Sequence, residues 1–135
     1  MGQVWWRRPS TLPLVLLIMA LCIIIAGGTI RINDAGESCP DWPQCFGTWG
    51  FDVSVEEQGV YWDENPDQID SRGADHRYTT FEIFSEWFHR MLVGVIAVPV
   101  LLNAIVARKM IDVYGKTVYH STLASGVLLI VQALV

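Results

Sequence analysis

Lysine is almost missing from this chain: Lys109 and Lys116 are the whole complement, and with the arginines they make nine basic side chains against fourteen acidic ones. A domain so poor in positive charge lacks the electrostatic footprint of a nucleic-acid binder, so nucleic acid is not among the predicted partners. No Ser- and Arg-rich segment precedes the first apolar run, which excludes an organelle transit peptide. There is no internal repeat, and strand-like alternation extends no further than Phe51–Val55. Cysteine is scarce as well, at three residues. A metal site on two thiolates needs two further ligands, and beyond His89 only His76 stands nearby in the sequence.

What the chain has in quantity is apolar sequence, 52% of its residues, gathered into the runs Thr11–Ile30, Ile83–Val106 and Thr117–Val135. A bilayer core of about 30 Å takes about 20 helical residues, so each run is predicted to be a transmembrane helix. The fold class is therefore all-α, a transmembrane helical bundle forming a single domain over 1–135. Its helices are expected at about 11–30, 83–106 and 117–135, with loops at 31–82 and 107–116. Charge orients it. Twelve acidic and three basic side chains lie between Arg31 and Glu82, whereas Arg7, Arg8, Arg108, Lys109 and Lys116 flank the other helix ends against Asp112 alone. The positive-inside rule puts the N-terminus and the 107–116 loop in the cytoplasm and the acidic 31–82 loop outside.

The first run is longer than the 7–15 apolar residues of a signal peptide, so it reads as a retained helix despite Arg7-Arg8 before it and Ala26-Gly27-Gly28 after it. Trp5, Trp6, Arg7 and Arg8 form an interfacial anchor ahead of it, and Pro9 and Pro13 suit a helix entrance. Cys22 falls in mid-helix as a buried apolar residue. Gly27 and Gly28 let a neighbouring helix or a ligand approach the backbone. Pro99 should kink the second helix. The third helix ends on Val131-Gln132-Ala133-Leu134-Val135 with no polar flank, which predicts that the chain is a piece of a longer protein.

In the outer loop, Cys39 and Cys45 are separated by five residues, Pro40 and Pro43 among them. On the outer side thiols oxidise. A structural staple, an electron-exchanging pair and part of a metal site all fit the spacing, the staple most simply. Residues 48–80 are acidic, and Asn65-Pro66-Asp67 and Ser71-Arg72-Gly73-Ala74-Asp75 read as turns. This stretch is predicted to be a loop with at most a short helix or hairpin, either a solvated insertion or a lid.

The strongest functional signal is Ser85-Glu86-Trp87-Phe88-His89-Arg90 at the mouth of the second helix. Residues three and four apart share a helix face, so Glu86 lies beside both His89 and Arg90. Ionisable groups at that depth mark functional sites, although a snorkelling Arg90 paired with Glu86 would explain them too. His120, at the start of the third helix, is not a partner for His89. The helices run in opposite directions, which separates the two by on the order of 20 Å along the membrane normal.

Gly27-Gly28-Thr29-Ile30-Arg31, then Ser38-Cys39-Pro40-Asp41-Trp42-Pro43-Gln44-Cys45, then Glu86-Trp87-Phe88-His89-Arg90 closely resemble the heme A synthases, which oxidise heme O to heme A for terminal oxidases. The final Val131–Val135 segment resembles their third helix. The likeness covers all three apolar runs and omits 48–80, an insertion not typical of that family. It implies a four-helix bundle, usually duplicated to eight helices. It implies that His89 is an axial ligand of heme iron, that Arg90 is part of the cofactor site, and that Glu86 is the catalytic acidic residue beside the substrate heme. It also implies that Cys39 and Cys45 form a disulfide. The second axial ligand is then expected beyond residue 135.

The resulting expectation is a heme A synthase-type oxidoreductase, multi-pass in a plasma membrane, with heme b as cofactor and heme O as substrate. Implied partners are heme O and heme A, membrane lipid, heme O synthase, terminal oxidase assembly factors and a second copy of the chain. Two other classes compete. A thiol–disulfide oxidoreductase passing electrons from Cys39/Cys45 to quinone accounts for the cysteines but not for Glu86 and His89. A non-catalytic b-type heme assembly protein accounts for His89 but gives Glu86 no chemistry.

Overall fold

The computed structural model describes residues 10–134; the Trp5–Arg8 anchor lies outside them. The elements run α1 (Thr11–Ile32), α2 (Val55–Glu64), a 3-10 turn (Pro66–Gln68), α3 (Thr80–Lys109) and α4 (Ile111–Leu134). There are thus four α-helices where three were expected. Two of them, α1 and α3, are long and apolar enough to cross a membrane. α4 does not join them among the described residues, which corrects the expectation of three spans. Its first half carries Lys116, Tyr119, His120, Ser121, Thr122 and Ser125, and Gly115 interrupts it with non-helical torsions (φ 85°, ψ 164°). Such a φ is easily adopted only by glycine.

The chain divides into two compact units, one of Cys22–Leu92 and one joining the residues up to Leu21 with those from Val93 onward. In the second of these, Gly126 packs against Val100, where an added Cβ would meet the valine methyl at 3.4 Å. α3 continues through Pro99 as a single helix.

In Cys22–Leu92 the end of α1 is set by a left-handed residue, Asp34 (φ 54°), after which Ala35 N–H donates to Ile30 O at 2.9 Å and Asp34 N–H to Arg31 O at 3.4 Å. This is the Schellman closure, accompanied by its usual apolar contact: Ile30 and Ala35 are both buried. α3 starts three residues earlier than the apolar run does, because Thr79 and Glu82 form a reciprocal cap. Thr79 N–H donates to Glu82 Oε2 at 2.7 Å, and Glu82 N–H donates to Thr79 Oγ1 at 3.3 Å.

The 48–80 stretch holds a short helix, as the sequence allowed, and packs around it as a small folded subdomain. Its α2 begins with a capping box, Ser54 N–H donating to Glu57 Oε2 and Glu57 N–H to Ser54 Oγ. Gln58 and Trp62, one turn apart, are its buried face. Trp62 joins Cys39, Cys45, Phe46, Val53, Tyr78 and Ile83 in a hydrophobic core. Phe46 meets Tyr61 and Trp62 edge-on at 5.4 and 5.3 Å, the offset geometry that aromatic pairs prefer. Gln58 ties the returning strand of chain to α2: its Nε2 donates to Tyr78 O at 3.0 Å and its Oε1 accepts from Tyr78 N–H at 2.8 Å. Burial and a bond to Asp70 push the Tyr78 hydroxyl's pKa up.

Candidate functional site at the mouth of α3

Cys39 and Cys45 are joined in a disulfide with Cα atoms 4.6 Å apart, and Cys22 is free. The bridge closes a small ring of chain, and the residues just after it fold back onto it: Gly47 N–H donates to Asp41 Oδ2 at 2.9 Å and Thr48 pairs with Cys45. Both cysteines are buried, at 4% and 1% exposure. Enclosure of this degree suits a staple; thiol exchange needs an accessible sulfur.

The ring is bolted to α3 by the Glu86–Arg90 pair. The two side chains form the i,i+4 ion pair that the sequence allows, Arg90 Nη2 to Glu86 Oε1 at 2.7 Å. The same Nη2 donates to Cys39 O at 2.8 Å, while Nη1 donates to Gln44 O at 3.0 Å and to Asp41 O. One planar guanidinium, with its donors in a fixed fork, therefore gathers three carbonyls of the disulfide ring. From the other side, Glu86 Oε2 accepts from the Cys39 N–H and from the Ser38 hydroxyl, both at 2.9 Å. Glu86 is buried and bonded at both oxygens, which is the arrangement that lets a charge persist away from water.

His89 stands one turn along the same helix and is half-buried. Among the described residues its ring makes no hydrogen bond. Nε2 lies against α1 at Gly27, where an added Cβ would come to 3.3 Å from it. The glycine thus keeps open the space beside an imidazole nitrogen that has no protein partner, a combination that fits an iron ligand. Among the described residues no group of three or more His, Cys, Asp or Glu could hold a metal ion.

The structure brings Glu86, Arg90, Cys39 and Cys45 into one cluster and places His89 and Gly27 side by side in the same unit. His120 belongs to the other unit. His76 is occupied elsewhere, its Nε2 facing Arg72 Nη1 at 3.1 Å. That arginine also pairs with Asp34 at 2.5 Å, tying the exit of the insertion to the end of α1. Two features of the site carried no sequence signal of their own. Ser38 is inconspicuous beside a cysteine, and the three ring carbonyls belong to the backbone.

A helical scaffold with two helices long and apolar enough to cross a membrane, and a buried ion pair under a disulfide cap, defines a class, the membrane-type helical proteins. The family model described as cytochrome oxidase assembly protein matches residues 10–135, and the chain belongs to that family. It is 31% identical over 87 residues to the heme A synthase of Shewanella oneidensis, a match covering 64% of this chain and 24% of that relative. The chain thus aligns with about a quarter of the relative's length. No solved structure matches it.

Proposed function

We propose that this chain carries one heme site of a heme A synthase-type oxidoreductase, which oxidises a methyl group of heme O to the formyl group of heme A. The observation that supports it best is the free Nε2 of His89, facing a glycine and one turn from a buried carboxylate. His89 would hold the heme iron in this reading, and heme would supply redox chemistry at its iron when bound. Glu86 presents fixed negative charge to positive charge developing at the substrate methyl, an electrostatic contribution made at the transition state. Arg90 keeps Glu86 in place and holds the disulfide ring against the site, so its role toward the cofactor is exerted largely through the loop. The protein is multi-pass in the plasma membrane, with its N-terminus cytoplasmic and the Cys39–Cys45 cap outside. It comprises a single transmembrane domain.

Two substitutions in the complete protein test this. His89→Ala is expected to remove most of the bound heme; a wild-type heme spectrum would reject the ligand assignment. Glu86→Gln is expected to retain heme per folded molecule while heme A formation collapses and heme O or a partly oxidised product accumulates, as read by extraction and chromatography. Heme A made at close to the normal rate would leave Glu86 a purely structural partner of Arg90, and the assembly-protein reading would then gain.

A further inference from the structure

Ser38 is fully enclosed, at 0% exposure, and its hydroxyl oxygen stands within hydrogen-bond distance of three acceptors. These are Glu86 Oε2 at 2.9 Å, Ala35 O at 2.8 Å and Glu82 O at 3.0 Å. A serine hydroxyl has one proton to give and two lone pairs to accept with. Only one of the three contacts can be a donated bond at any moment. With Glu86 ionised, the proton belongs on the carboxylate, the strongest acceptor of the three. With Glu86 protonated at Oε2, the hydroxyl can turn, give its proton to Ala35 O or Glu82 O, and accept the Glu86 proton on a lone pair.

The other two partners of Glu86 cannot make that change. Arg90 and the Cys39 N–H are donors only. They remain satisfied in both states, because the protonated carboxyl still accepts at Oε1 from Arg90 and through a remaining Oε2 lone pair from Cys39.

We infer that Ser38 is a positioning residue for Glu86, a rotating hydroxyl that keeps the carboxyl hydrogen-bonded and in one place both with and without its proton. The charged and polar groups packed on Glu86 are Arg90 from α3, and Ser38 with the Cys39 N–H from the ring; Ser38 alone among them can reverse its role. This inference rests on the catalytic reading of Glu86 for its consequence, though not for its geometry. In that reading Glu86 can take up or release a proton at Oε2 during turnover without the disulfide ring shifting.

Infrared spectroscopy of the complete protein, with glutamate isotope-labelled and the pH stepped downward, tests it. The carboxyl band of protonated Glu86, assigned by its disappearance in Glu86→Gln, is expected at the position of an acid whose O–H is hydrogen-bonded. Ser38→Ala should move that band to the higher frequency of a free O–H, and Ser38→Thr, which keeps the hydroxyl, should leave it in place. Heme A formation by Ser38→Ala should fall by about tenfold or more, the effect of losing one hydrogen bond to a charged group, with heme content per folded molecule preserved. A free-acid band in the wild type, no protonated Glu86 at any pH where the protein stays folded, or a band unmoved in Ser38→Ala would overturn the inference. The wild-type band decides even if Ser38→Ala does not fold. Normal heme A formation by Glu86→Gln would overturn the catalytic reading while leaving the infrared result on Ser38 standing, so the two failures are distinguishable.

Discussion

Within Cys22–Leu92 the side chains of Trp62, Ile83, Gln58, Cys45 and Ser38 are almost wholly enclosed, whereas in the other unit Val95, Val98, Leu101, Val127, Leu128 and Ile130 are each 57–67% exposed. The first unit closes a core against its own chain, although its share of α1 still turns Ile24 and Ile25 outward, at 67% and 68% exposure. The second turns its apolar groups outward, and at about 25 cal/mol for each Å² of apolar surface that arrangement needs lipid or further protein around it. The difference also explains where polar bonds gather. In the enclosed unit nearly every buried polar group, from Gln58 to Glu86, is tied to the backbone of a distant segment. In the other unit Thr122 and Ser125 merely bond back to the preceding helical turn.

The sharpest way to break this comparison is Trp62→Ala. Removing a large aromatic from a closed core costs about 3–5 kcal/mol, so limited proteolysis in detergent should cut between Phe46 and Tyr78 far faster than in the wild type. Val127→Ala, on the outward-facing side of α4, should leave the proteolysis pattern unchanged. Equal effects from both would mean that the enclosed unit is not an independent core.

Next in size is Arg90→Ala, which strands a buried carboxylate and three ring carbonyls. Breaking such a pair costs about 3 kcal/mol or more. The Cys39–Cys45 ring should become accessible to a soluble reductant, measured by alkylation and mass spectrometry. A ring as protected as in the wild type would show that the hydrophobic core, and not the guanidinium, holds it down.

The smallest effect sharpens the picture at the surface. Ser54→Ala should cost about 1 kcal/mol through the lost cap, read as faster amide exchange in the first turn of α2 alone. The bond from the Ser54 N–H, and then its hydroxyl, hold the Glu57 carboxyl below its ordinary value. A depressed pKa contributes stability above the unfolded value and loses it as pH falls through the folded one. Amide protection at the start of α2 should therefore weaken on acidification through the carboxylate range, while the core around Trp62 stays closed.

Much of this was legible from the residues. Length and apolarity marked α1 and the body of α3, and the i,i+4 spacing of Glu86 and Arg90 announced their pairing before any coordinates. The third apolar run counts as a span by length alone, and that count gives too little weight to the polar Tyr119, His120, Ser121, Thr122 and Ser125 in its first half. The subdomain in 48–80 was under-read for a different reason. Its buried face in α2 amounts to Gln58 and Trp62, one polar and one aromatic, embedded among Glu56, Glu57, Asp63 and Glu64, and a single i,i+4 pair does not stand out as amphipathic. The rest of its core comes from Phe46, Val53 and Tyr78, which follow no repeat at all. The clamp on the disulfide ring was invisible because carbonyl groups carry no letter in a sequence.

The bonds from Arg90 to the ring span 46–51 positions along the chain, while the two cysteines lie only six apart. This separation sets a timetable for biosynthesis. A ribosome adding roughly 5–20 residues per second finishes Cys45 some seconds before it reaches Glu86 and Arg90. The ring can close while the helix that will grip it does not yet exist, and Glu86 and Arg90 then receive a preformed part. Oxidation of the ring and its capture by α3 are separable steps of maturation, and a cell could inspect or delay the first without any involvement of the second.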